Sequence, residues 1–142
     1  MKSNRVILAD SHLGMLGSVH GLLDTLFETV LMVADERSLM ETIATLNPDL
    51  VVVDLSLPNT GEVNIVRRLM SQHPDLRLVV LSVHDDPTVA AVVLEAGAAG
   101  FVLKRSAATD LALAVNEVLR GGVFVSPSVQ RNRNGVTGHD PA

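Results

Sequence analysis

The stretch Leu50-Val51-Val52-Val53-Asp54-Leu55-Ser56-Leu57-Pro58 decides the fold. Its first four residues are apolar and mostly β-branched, the pattern of a strand buried on both faces in a parallel sheet. The run ends in a carboxylate. An acid at the C-terminal tip of an apolar parallel strand lies where open α/β sheets place their chemistry. Three other tips agree with it: Arg5-Val6-Ile7-Leu8-Ala9 runs into Asp10, Arg77-Leu78-Val79-Val80-Leu81 into Ser82, and Gly100-Phe101-Val102-Leu103 into Lys104. Two acids, a hydroxyl and an amine thus converge on one edge of one sheet.

Outward from that strand, the chain alternates two periodicities. Apolar runs predict strands near 5–9, 29–34, 50–54, 77–82 and 100–103. Helical spacing joins Leu13, Leu16, Val19, Leu22, Leu23 and Leu26; then Leu39, Ile43, Ala44 and Leu46; then Val63, Ile65, Val66 and Leu69. Val89, Val92, Val93 and Ala96 make a fourth helix stopped by Gly97, and Leu111, Ala114, Val115 and Val118 a fifth stopped by Gly121-Gly122. Asp86-Pro87 and Thr109-Asp110 supply helix-start chemistry. Five βα units predict an α/β fold: a doubly wound, five-stranded parallel sheet, flavodoxin-like, with strand order 2-1-3-4-5. In that order strands 1 and 3 are neighbours at the switch point, which brings Asp10 beside Asp54. The patterned domain spans residues 1–128, and the polar, Gly-containing stretch 129–142 reads as a flexible tail or linker.

Bulk properties bound the function. The chain has 142 residues, 47% hydrophobic and 19% charged, enough for one domain with a substantial core. There is no cysteine, which excludes disulfides, thiolate nucleophiles and thiolate metal sites. No stretch reaches the ~20 apolar residues of a membrane span, and Met1-Lys2-Ser3-Asn4-Arg5 runs directly into a strand; a cytoplasmic protein is expected. The net charge is -5 and the basic residues are scattered, so this segment does not read as a phosphate-backbone binder. Three Phe and no Tyr or Trp leave little for base stacking. None of the five histidines has metal-ligand spacing.

Two carboxylates on one rim suit a hard divalent cation such as Mg²⁺. A lysine and a hydroxyl beside them suit phosphoryl oxygens, and a carboxylate can itself be the nucleophile. The residues therefore point to phosphoryl transfer onto Asp54, driven by positioning and charge stabilisation.

The sequence resembles a response-regulator receiver domain. The resemblance runs through Ala9-Asp10-Ser11-His12, Val53-Asp54-Leu55-Ser56-Leu57-Pro58, Val80-Leu81-Ser82, and Ala96-Gly97-Ala98-Ala99-Gly100-Phe101-Val102-Leu103-Lys104. The segment Leu119-Arg120-Gly121-Gly122-Val123-Phe124-Val125-Ser126-Pro127 is similar to the end of a NarL/FixJ-type receiver, the type joined to a LuxR-like output. This resemblance implies that Asp54 accepts phosphate from a sensor histidine kinase. It implies that Asp10, Asp54 and the Ser56 carbonyl hold Mg²⁺. Ser82 and Lys104 would bind the phosphoryl group, and Phe101 stands where the family often has a switching aromatic; simple core packing is the other reading of Phe101. The output would be a changed homodimer and, through a C-terminal domain beyond this chain, DNA binding. A receiver cut from a transcriptional regulator is expected, with no enzymatic role beyond assisting its own phosphoryl transfer and dephosphorylation.

Three positions depart from the family pattern. Ser11 replaces the second of two adjacent acids, so Mg²⁺ binding is expected to be weak, and Ser11 itself suits a helix cap better than a metal. The loop Asn59-Thr60-Gly61-Glu62 and Arg105 after Lys104 also differ. Ser11 motivates an alternative, a degenerate receiver that works as an interaction module without phosphate. A flavodoxin-like electron carrier fits less well, because Ser11-His12-Leu13-Gly14-Met15 lacks a phosphate-cradling run.

Overall fold

A computed structural model describes residues 3–10, 17–55 and 63–129. Ser11, His12, Ser56 and the 59–62 loop lie outside the described residues, as does 130–142.

The elements alternate in chain order: β1 (Ser3–Ala9), α1 (Gly17–Leu26), β2 (Phe27–Val33), α2 (Glu36–Leu46), β3 (Leu50–Asp54), α3 (Val63–Gln72), β4 (Leu78–Ser82), α4 (Pro87–Glu95), β5 (Gly100–Leu103), α5 (Ala107–Leu119) and β6 (Phe124–Val125). The sheet is parallel throughout, with order β2-β1-β3-β4-β5-β6. The expected order 2-1-3-4-5 is present, and the two-residue β6 extends it beyond β5. So short a strand leaves no readable alternation. Nor does β2 start where expected: α1 runs straight into it at Phe27, two residues early.

Every residue of β3, β4 and β5 is buried, which is why these segments are almost wholly apolar. Their side chains alternate between two cores. Ile7, Val51, Val53, Val80, Phe101 and Leu103 face α2, α3 and α4, meeting Leu39, Ile43, Ile65, Leu69 and Val93. Val6, Leu8, Leu50, Val52, Val79, Leu81 and Val102 face α1 and α5, meeting Val19, Leu23, Leu111, Val115 and Val118. Helices on both faces follow from strands apolar on both sides.

Helix ends follow local chemistry. Asp35 and Asp86 cap α2 and α4 by accepting from the Ser38 and Thr88 amides, each at 2.8 Å, with Pro87 opening α4. Past α4, Gly97 adopts φ 118°, a conformation that L residues rarely take, and packs directly on Met70 of α3. At the other end, Val129 is buried in the α2–α4 core, one residue past the boundary expected from the pattern.

Candidate functional site

The topology delivers the four chemistry-bearing residues to one edge. Residues Ala9 and Val53 are register partners in adjacent strands, so Asp10 and Asp54 follow side by side. Ser82 ends β4, paired with Leu103, and Lys104 follows β5 in a 3₁₀ turn, Lys104–Ser106. Asp10 is fully buried, Asp54 is 1% exposed and Ser82 2%.

Lys104 joins the two acids. Its Nζ lies 2.6 Å from Asp54 Oδ2 and 3.3 Å from Asp10 Oδ2. Burying two carboxylates beside each other costs several kcal/mol unless a cation compensates them. Here the ammonium fills that role, reaching across β4 from a side chain that is 18% exposed. Partial burial works against the charged lysine, but the Asp54 hydrogen bond and charge, with Asp10 behind them, outweigh it and raise Lys104 above the usual lysine value.

Ser82 is turned differently. Its hydroxyl donates to the His84 carbonyl at 3.1 Å and accepts the His84 amide at 3.0 Å. It therefore closes the β4–α4 loop on itself. Outside it, Arg105 pairs with Asp85 at 3.1 Å and ties that loop to the one carrying Lys104. Phe101 is fully buried in the α2–α4 core. Ser11 and Ser56 fall outside the described residues, so only Asp10 and Asp54 of the expected metal set are seen.

Two buried carboxylates around one ammonium are also a donor set for a hard cation, since both present oxygen at a shared point of positive charge. Among the described residues no cluster of three or more His, Cys, Asp or Glu could hold a metal. Asp10 and Asp54 are the described residues whose oxygens would serve Mg²⁺.

Sequence reasoning overlooked one part of this edge. Asp110, read as helix-start chemistry, points inward from the first turn of α5 and accepts the Ser126 hydroxyl at 2.8 Å; both residues are buried. A charged residue just inside a helix gives no signal to separate capping from burial.

Comparison with known proteins gives the family. The response regulator receiver domain family matches residues 6–116. This chain is a response-regulator receiver. It is 32% identical to the transcriptional regulatory protein DegU of Brevibacillus brevis over 130 residues, which is 90% of this chain and 55% of DegU. The receiver thus spans about half the length of that relative. A LuxR-family two-component response regulator from Aurantimonas has 25% identity and a TM-score of 0.88, covering 97% of the receiver and 100% of that chain. The isolated receiver of RcsB from Salmonella enterica, solved in the presence of the phosphomimetic BeF3-, has 28% identity and a TM-score of 0.82, covering 92% and 98%. The receiver shares the α/β architecture of both. Among the described residues, no helix is long and apolar enough to cross a membrane.

Proposed function

We propose that this receiver is phosphorylated on Asp54 by a sensor histidine kinase, and that the modified edge switches a homodimer or an output contact. The observation that carries this reading is the Lys104 ammonium spanning Asp54 Oδ2 and Asp10 Oδ2. Two carboxylates and an ammonium within one small volume support this reading.

An Asp54 oxygen attacks phosphorus, the donor's leaving group departs, and an aspartyl phosphate remains. Lys104 then moves from the Asp54 carboxylate to a phosphoryl oxygen, keeping its charge matched. Ser82 exchanges its two His84 contacts for one to the phosphoryl group, which draws the β4–α4 loop inward. Phe101 responds through the core it shares with α4. Bound Mg²⁺ supplies charge neutralisation; Asp10, Asp54 and the Ser56 carbonyl would hold it, with Ser11 contributing little. Phosphate brings roughly two negative charges and strong acceptors, enough to bias a two-state loop. DNA binding would belong to a separate output domain, the receiver proper takes in Val129 beyond the expected 1–128, and the site of action is the cytoplasm.

The test is intact mass after incubation with acetyl phosphate, with and without Mg²⁺. A Mg²⁺-dependent phosphoryl adduct, lost in Asp54→Asn, is expected. A folded protein that gains no adduct from acetyl phosphate or from histidine-phosphorylated kinase would favour the phosphate-independent module that Ser11 suggests.

A further inference from the structure

Lys104 has to be aimed. It leaves β5, two strand spacings or about 10 Å from β3, yet its ammonium meets Asp54 at 2.6 Å. A long, flexible stem achieves that only from a fixed origin. The β4 ladder reaches Leu103 on one side, but on the other side the strand pairing stops at Phe101, because β6 is two residues long. Main-chain bonds run from the Phe124 amide to the Ala99 carbonyl and from the Ser126 amide to the Phe101 carbonyl, each 2.9 Å. A continuing parallel ladder would next offer the Leu103 amide a main-chain carbonyl. Instead, the Leu103 amide donates to Ser126 Oγ at 3.0 Å.

That hydroxyl is itself held. It donates to Asp110 Oδ2 at 2.8 Å, and Asp110 Oδ1 accepts from Thr109 Oγ1 at 3.2 Å. Ser126 is fully buried and Asp110 7% exposed. A carboxylate accepting the hydroxyl proton polarises it and strengthens its lone pair toward the Leu103 amide. On the other side of Lys104, its carbonyl accepts the Ala107 amide in the 3₁₀ turn. The lysine backbone is thereby clamped from both sides.

We propose that Asp110 and Ser126 are positioning residues for Lys104: their buried relay fixes the Leu103–Lys104 backbone so that the ammonium meets Asp54 and Asp10. The effect on phosphorylation rests on the function proposed above; the placement of Lys104 does not.

The experiment uses the full chain with Ser126→Ala, Ser126→Thr and Asp110→Asn, each checked for folding by circular dichroism. The first readout is the NMR chemical shift of the Lys104 side chain at neutral pH. It moves toward that of a free lysine in Ser126→Ala, is retained in Ser126→Thr, and is intermediate in Asp110→Asn, which also reports if Ser126→Ala does not fold. The second readout is phosphoryl uptake from acetyl phosphate with Mg²⁺. It slows by about tenfold or more in Ser126→Ala, within the range that a small misplacement of a positioning group produces, and slows no further when added to Lys104→Met. An unchanged Lys104 side-chain shift in folded Ser126→Ala and Asp110→Asn overturns the proposal. If the wild type takes up no phosphate while that shift changes in the variants, the positioning stands and the phosphorylation reading falls.

Discussion

Replacing Lys104 with Met removes the cation between two buried acids, and the cost can be worked from the geometry. At an effective dielectric near 20, unit charges at 2.6 and 3.3 Å attract by roughly 6 and 5 kcal/mol. Those are gross values, and desolvation of the three charges offsets much of them. Removing one partner of a fully buried pair costs about 3–5 kcal/mol, chiefly because the other charge is left behind. The Lys104 side chain is 18% exposed, so water screens part of the interaction; the expected loss is about 2–3 kcal/mol. Adding Asp10→Asn to Lys104→Met removes the carboxylate repulsion and should restore roughly 1–2 kcal/mol. Millimolar Mg²⁺ should also restore part of the loss, because a ligand bound only by the folded state stabilises it. Urea unfolding followed by circular dichroism in chelator is the assay, since the chain lacks Trp and Tyr. The reasoning is refuted if Lys104→Met matches wild type in chelator, or if Asp10→Asn destabilises the Lys104→Met protein further.

Other expectations follow from the same structure. Because Lys104 is raised in the folded state, its contribution is fully present below the usual lysine pKa and lost as pH rises through the raised value. The stability gap between wild type and Lys104→Met should therefore stay level from pH 7 to 9 and close above about pH 10.4, as read by urea midpoints. Phe101→Ala opens a cavity in the α2–α4 core and should cost about 3–5 kcal/mol; a loss under 1 kcal/mol would mean the ring is not packed as described. Gly97→Ala must accept φ 118° and a Cβ 2.9 Å from Met70 Cγ, so a loss of at least about 1 kcal/mol is expected in thermal melts. Asp86→Ala removes the α4 cap and should cost about 1 kcal/mol, with faster amide exchange confined to the first turn of α4.

The central strands were legible because burial on both faces leaves only apolar residues, and Asp54 then stands out as the place where the run stops. Gly97 and Asp86-Pro87 were equally readable, since each sits where one backbone conformation or one cap is required. At the sheet's edges less was visible. Phe27 and Glu28 continue the helical pattern of α1 and join β2 only through pairing with β1. The strand β6 exists through its register with β5, and two residues cannot display a period. Asp110 and Ser126 are sixteen positions apart and meet only once α5 has crossed back. Arg105, a departure from the family pattern in the sequence, has a partner in Asp85 that no local spacing announces.

The burial of Val129 carries a mechanical consequence. Helix α5 lies on one face of the sheet and Val129 on the other, so the chain turns around the β5–β6 edge between them. Tension applied to the chain beyond Val129 would extract that side chain first. It would next load the Ser126 links to Phe101 and Leu103, and only then the Phe124 rung. The edge would peel from its C-terminal end, and the second contact to yield would be the one beside Lys104. A pull on the outgoing chain and a charge change at Asp54 would thus meet at the same short piece of backbone.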